Sequence, residues 1–110
     1  MPLSEMARLE VYIPDSPEAA YRELLKNLDR EFTHTFGGCT ILRRIDGSYL
    51  SPKGMLINDR INLIYTDVPL SIQDNLGQFS RYGEAVRLAV DNALQEEAIL
   101  IVLYSVYHVE

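Results

Sequence analysis

The most reactive side chains of this sequence stand close together, in the stretch between residues 33 and 40. His34 and Cys39 lie five residues apart there, and the chain has no other cysteine. A histidine that takes the proton of a neighbouring thiol creates a nucleophile, so one interpretation is a small enzyme that uses this pair. The other interpretation is a helix end, where histidine favours the negative end of the dipole and Gly37–Gly38 allows the following turn.

The same stretch does not predict a metal or a bound cofactor. A zinc site uses three or four ligands at recognisable spacing, and the only other histidine is His108. A phosphate-binding loop needs a lysine and a serine or threonine directly after its glycines, leading into a helix. Gly37–Gly38 leads instead into a predicted strand, so we expect no cofactor.

A second group of polar residues belongs to two segments that we predict to be neighbouring strands. Arginine has a planar fork of donors that matches a carboxylate or a phosphate, so this group predicts a site for a small anionic ligand. An adjacent arginine pair in a strand points to opposite faces, and we expect one of the two to join the others on a helix-free sheet face. The members of the group are Arg43, Arg44, Tyr49, Asp59, Arg60 and Asn62.

Composition excludes several classes of partner. The 110 residues carry a net charge of −6 with no basic cluster, which argues against nucleic-acid binding. The longest apolar run, residues 98–104, is far shorter than the roughly 20 residues of a membrane-spanning helix. A single cysteine allows no internal disulfide, and residues 1–8 lack the features of a secretory signal. We therefore expect one cytoplasmic domain, residues 1–110, that binds neither membrane nor nucleic acid.

The elements that must position these side chains follow from the apolar periodicity. Alternating residues predict strands, and residues repeating at three and four positions predict helices. The order is β-α-β-β-α-β, which is typical of the ferredoxin-like α+β sandwich, a four-stranded antiparallel sheet with two helices on one face. The predicted strands are Leu9–Ile13, Thr40–Ile45, Ile57–Asp67 and Ala98–His108, and the predicted helices are Pro17–Phe32 and Gln78–Leu94.

Local signals refine two of these boundaries. Ser16 can cap the first helix, and Pro17 suits its first position because a missing N–H costs nothing there. Asp46–Gly47 is a tight-turn signal, so the second strand ends in a short hairpin or continues as a bent strand to Ser51. Residues 52–54 are predicted to form a further turn or a loop.

The last strand predicts self-association. Both of its faces are apolar, and in the common strand order 4-1-3-2 it lies at an edge of the sheet, where an uncovered apolar strand is an association hazard. Tyr12 and Tyr104 fall on strands, and tyrosine is enriched at interfaces. We expect a homodimer that uses the open sheet face or this strand.

Residues 32–40 and 58–67 give the chain a resemblance. With FTHTFGGCT and NDRINLIYTD, it is similar to a family of small proteins from cyanobacteria and related bacteria to which no activity is attached. More broadly, the layout resembles ferredoxin-like regulatory proteins and dimeric α/β-barrels, which implies binding of small metabolites or pairing of sheets. Three hypotheses stand: a small-molecule or partner-binding module, a small enzyme with a cleft at a subunit interface, and a structural subunit of a larger complex.

Overall fold

The computed structural model describes residues 2–94 and 99–110, with only the backbone described at Tyr49. Its element order confirms the predicted ferredoxin-like α+β fold, and the strand order β2-β3-β1-β4 confirms the predicted arrangement. All three strand pairings are antiparallel. The elements are β1 (Leu3–Pro14), α1 (Ala19–Phe36), β2 (Thr40–Leu50), β3 (Leu56–Val68), a short 3₁₀ helix (Gln73–Asn75), α2 (Leu76–Leu94) and β4 (Leu100–Val109).

One hydrophobic core joins both helices to the same face of the sheet. Leu9, Val11 and Ile13 alternate along β1 and pack with Ile64 of β3 against the apolar stripes of the two helices. Phe32 of α1 is fully buried in this core. No helix among the described residues packs on the other face of the sheet, as the sequence predicted. Neither helix, over the residues described, has an apolar stretch long enough to span a bilayer.

The first helix begins two residues later than predicted. Glu18 has extended backbone angles and α1 starts at Ala19, so Pro17 is not its first residue. The Ser16 hydroxyl accepts a hydrogen bond from the Glu18 N–H at 3.2 Å, in the turn that leads into the helix. At the other end Gly37 has a φ of 90° and its N–H donates to the Thr33 carbonyl, which confirms the predicted glycine stop.

Of the two alternatives for the segment around Asp46–Gly47, the strand that continues is confirmed and the tight turn is wrong. Both residues lie inside β2, where they pair with Arg60 and Asp59 of β3. The chain reverses instead around Gly54, whose φ is 78° and whose N–H donates to the Ser51 carbonyl. A local glycine signal was overridden because the two strands continue to pair along their whole length. The predicted start of the last strand at Ala98 lies outside the described residues.

Candidate functional site

A cleft of about 530 Å³ opens between the first half of α1 and the middle of β2. Its size falls within the range of roughly 300–1,000 Å³ that is usual for small-molecule sites. We call it the α1–β2 cleft. Its lining residues are Pro14, Asp15, Ser16, Pro17, Tyr21, Arg22, Leu25, Lys26, Asp29, Ile41, Arg43, Arg44 and Asn62.

A β-bulge brings the predicted arginine pair to this cleft. Between the pairs Leu42–Leu63 and Ile45–Ile61, β2 has two residues where β3 has only Asn62. The extra residue breaks the alternation of faces, so Arg43 and Arg44 both line the cleft. The prediction that they point to opposite faces is therefore not met.

Backbone geometry at the bulge depends on a buried side chain. Arg44 has a φ of 58°, a left-handed conformation that is costly for a residue with a Cβ atom. Its N–H donates to Asn62 Oδ1 at 3.0 Å, and Asn62 Nδ2 donates to Asp15 Oδ1 at 3.2 Å. Arg44 Nε also lies 4.0 Å from Asp15 Oδ2. Asn62 is 8% exposed, so this amide holds the bulge from inside the protein.

The cations of the cleft differ from its carboxylates in how they are paired. Arg22, Lys26 and Arg43 form no ion pair with any residue that the structure describes. The carboxylate of Asp15 is held by Asn62, and that of Asp29 accepts from the Cys39 thiol at 3.1 Å. The cleft therefore presents positive charge on a protein of net charge −6.

His34 and Cys39 lie near the C-terminal end of α1 without a hydrogen bond between them in the described structure. The Cys39 thiol is half-buried and close to Thr33 and Asp29. Burial, together with the Asp29 carboxylate, raises the pKa of this thiol. A reactive cysteine needs a lowered pKa, and the surroundings of Cys39 raise it instead.

Asn62 joins the arginine pair in the α1–β2 cleft, whereas Asp59 and Arg60 are not among the residues that line it. Asn62 pairs with Ile13, which belongs to the core face, and Arg60 has the same parity along β3. Arg60 pairs with exposed Asp46 at 3.4 Å, whereas Asp59 has the opposite parity. Tyr49 lies in β2 opposite Ile57, and its side chain lies outside the described structure. The pairing of the strands explains why these residues lie on different faces, because an offset of one residue along a strand moves a side chain to the opposite face of the sheet.

The helix-free face carries a charged group that the sequence did not reveal. Asp67 accepts two hydrogen bonds from Arg8, at 2.7 and 2.9 Å, and its Oδ2 lies 2.7 Å from His108 Nε2. The Arg8 guanidinium also lies over the Tyr65 ring, 4.2 Å from its centre. These residues are brought together across β1, β3 and β4 although 59 positions separate Arg8 from Asp67 and 41 separate Asp67 from His108.

A second carboxylate lies beside this group on the same face. Glu10 is only 7% exposed and accepts hydrogen bonds from the hydroxyls of Tyr12, at 2.8 Å, and Tyr104, at 2.6 Å. The sheet-face network is the name used below for the two carboxylates and their partners, Arg8, Glu10, Tyr12, Asp67, Tyr104 and His108. A weak signal was present, since residues 8, 10 and 12 alternate as polar positions along the first strand.

Hydrogen bonding in the sheet-face network shifts its ionisation. The two hydrogen bonds from Arg8, followed by the contact with His108, lower the pKa of Asp67. The hydrogen bond to Glu10 raises the pKa of both tyrosines, Tyr12 and Tyr104. The network is therefore satisfied by its own members, with two carboxylates that each have partners.

The described residues contain no group of side chains suited to bind a metal ion. Within residues 2–94 and 99–110, no three side chains of histidine, cysteine, aspartate or glutamate are grouped as ligands of one ion would be. The cleft chemistry is cationic, which favours anions over metal ions.

Comparison with known proteins identifies the fold. No protein-family model and no curated protein matches the sequence. Among solved structures, the chain is similar to the divalent cation tolerance protein CutA1 from Thermus thermophilus, with a TM-score of 0.57, 16% identity, and coverage of 91% of this chain and 82% of that one. CutA1 from Oryza sativa gives 0.58, 14%, 97% and 84%, and CutA from Synechococcus elongatus PCC7942 gives 0.55, 10%, 96% and 85%. At these identities the likeness establishes a CutA-like ferredoxin fold, and membership of the expected cyanobacterial family stays a prediction.

Proposed function

We propose that this protein is a non-enzymatic binding module that takes a small anionic ligand in the α1–β2 cleft. One observation carries the proposal: Arg22, Lys26 and Arg43 line a cleft of ligand size and have no ion-pair partner among the described residues. The name of the Thermus thermophilus neighbour refers to divalent cation tolerance, but the cationic lining favours an anion here.

The physical argument is one of charge and desolvation. The protein has a net negative charge, so an anion is attracted most strongly where cations cluster. The α1–β2 cleft is such a place. Pro14, Pro17 and Ile41 add apolar surface to the lining, which favours an organic body over a bare inorganic ion. The alternative of a small enzyme using His34 and Cys39 lacks a comparable observation, because burial raises the pKa of the thiol.

The ligand proposal is tested by comparing charged and neutral probes. We expect benzoate and phenyl phosphate to raise the melting temperature of the protein, and benzamide and phenol to leave it unchanged, because only the anions pair with the arginines. Arg43→Gln removes a charged donor and weakens anion binding by about tenfold.

Arg30→Gln is the matched control for this test. It makes the same charge change on α1, but Arg30 is not among the residues that line the cleft. Equal losses in the two variants, or equal binding of the neutral probes, would contradict the proposal.

We further propose that the module acts as a homodimer whose partner covers the helix-free sheet face. Leu42, Leu100 and Tyr104 have the parity of this face and are 45%, 55% and 37% exposed. Tyr104 also belongs to the sheet-face network, and aromatic side chains are enriched in interface cores. β4 is also an edge strand with a free ladder edge in the described sheet.

Light scattering coupled to size-exclusion chromatography tests the assembly. The mass of two chains is expected at tens of micromolar protein, and Leu42→Glu is expected to shift it toward one chain because a buried charge lacks a partner. Leu88→Glu, at an α2 leucine that is 49% exposed, is expected to leave the mass unchanged. A single-chain mass for the unaltered protein, or any closed assembly larger than two, would overturn the homodimer.

A further inference from the structure

We propose that the ligand of the α1–β2 cleft is an organic anion with two or more negative charges, and that Asp15 competes with it for Arg44. This inference rests on the proposed function and makes it more specific. It follows from where the cations lie, what covers the space between them, and how the two carboxylates of the cleft are engaged.

Positive charge comes from two separate elements. Arg22 and Lys26 are four residues apart, one turn of α1, and so lie on the same side of the helix. Arg43 and Arg44 come from the β2 bulge. A ligand with one negative charge pairs with one of these elements and leaves the other unpaired, whereas a dianion pairs with both.

The net charge of the residues that line the cleft also favours a ligand with two negative charges. Four cationic and two anionic side chains line the cleft, which gives it a net charge of +2. A dianion neutralises this charge and a monoanion does not. Arginine binds phosphate and carboxylate through two parallel hydrogen bonds, so the two groups on β2 can hold one end of the ligand directionally.

The body of the ligand is indicated by the apolar part of the lining. Pro17 is exposed and Pro14 and Ile41 are half-buried, so the lining leaves apolar surface on both sides of the cleft in contact with water. An inorganic ion leaves this surface in contact with water, whereas an aromatic or aliphatic group covers it. Organic phosphates and dicarboxylates with a small apolar body meet both requirements.

Asp15 already offers a negative charge to Arg44. Its Oδ2 lies 4.0 Å from Arg44 Nε, while its Oδ1 accepts from Asn62. A ligand anion at Arg44 therefore meets repulsion from this carboxylate. Asp29 also lines the cleft, but its carboxylate accepts from the Cys39 thiol and from the Thr33 hydroxyl rather than facing an arginine. The two aspartates thus provide a matched pair, equal in charge and different in position.

Isothermal titration of the full chain at pH 8 with phenyl phosphate and benzoate tests the charge requirement. These probes share a ring, and phenyl phosphate is a dianion at this pH. We expect it to bind about tenfold more tightly, and both Lys26→Gln and Arg43→Gln to weaken it by about tenfold each, because each removes a charged contact from one side. Equal affinities for the two probes would overturn the inference and leave the proposed function intact; no binding of either would overturn both.

Substitution of the two aspartates tests the competition. Asp15→Asn keeps an oxygen for Asn62 but removes the charge beside Arg44, so phenyl phosphate is expected to bind more tightly, by about fivefold to tenfold. Asp29→Asn removes the same charge further from the arginines and is expected to change affinity by less than about twofold. An equal gain in both variants, or a loss in Asp15→Asn, would exclude Asp15 as the competitor.

Discussion

Two charged regions of this molecule differ in whether their charges have partners. On the helix-free face, Asp67 is shared by Arg8 and His108, and Glu10 by two tyrosine hydroxyls. In the α1–β2 cleft, three of the four cations have no ion-pair partner among the described residues. A charge that is paired and partly buried stabilises the folded state. A charge that is unpaired and accessible adds little to the free energy of unfolding and can pair with a ligand.

Substitutions in the sheet-face network should therefore lower the free energy of unfolding, and substitutions of the cleft cations should not. Asp67→Ala leaves the Arg8 guanidinium, whose side chain is 25% exposed, without its carboxylate, and is expected to lower the free energy of unfolding by about 2 kcal/mol. Lys26→Gln and Arg43→Gln are expected to change it by less than about 0.5 kcal/mol. Urea unfolding at pH 7 measures both. Similar losses in all three variants would remove the distinction between the regions.

Acid should abolish the contribution of Asp67 in a defined pH range. Its pKa in the folded protein is lowered below the ordinary value of 3.8, so its contribution is complete above about pH 5 and is lost as the pH falls through the folded pKa. The gap in unfolding free energy between the unaltered protein and Asp67→Asn is expected to narrow from pH 6 to pH 3.

Asp46→Asn is the control for this titration. Asp46 pairs with Arg60, but its side chain is 87% exposed, so the pair is screened by water and the gap should be small at every pH. A gap for Asp67→Asn that widens on acidification would contradict the assignment of its partners.

The fold was predictable because each element carries its own periodicity. The stripe of α1 and the alternation of Leu9, Val11 and Ile13 are properties of neighbouring residues, and they also determine which side of the sheet the helices cover. The unsuccessful predictions depended on contacts between distant segments. Asp46–Gly47 has the composition of a turn, but pairing with Arg60 and Asp59 keeps it in a strand.

The candidate site was only half predictable for the same reason. Arg43, Arg44 and Asn62 were chosen as anion ligands, and the structure brings all three to one cleft. The predicted location of these residues on the helix-free face was wrong, because a β-bulge can be recognised only when the two paired strands are aligned. Arg22 and Lys26 were missed because exposed cations on a helix are ordinary, and nothing in the local sequence indicates that β2 lies opposite them.

The reactivity of the Cys39 thiol should distinguish Asp29 from Asp15, the two aspartates that line the cleft. Burial and the Asp29 carboxylate raise the pKa of the thiol, so iodoacetamide at pH 7.5 is expected to alkylate Cys39 more slowly than free cysteine. Asp29→Asn is expected to accelerate alkylation, because it removes a negative charge 3.1 Å from the sulfur. Asp15→Asn is expected to have no effect. Alkylation faster than that of free cysteine would instead support the interpretation as an enzyme.

The smallest expected effect concerns the bulge itself, where Arg44→Gly should raise stability and weaken binding. Arg44 has a φ of 58°, which glycine adopts without steric cost, so Arg44→Gly is expected to raise the free energy of unfolding by about 0.5 kcal/mol. Arg43 is not among the described residues with positive φ, and Arg43→Gly is expected to lower the free energy by about the same amount. Both variants lose a guanidinium of the cleft, and both should bind phenyl phosphate more weakly. Urea unfolding and titration of the same two samples would thus separate backbone strain from charge, and a destabilised Arg44→Gly would show that the Arg44 side chain contributes more to the bulge than its strained backbone costs.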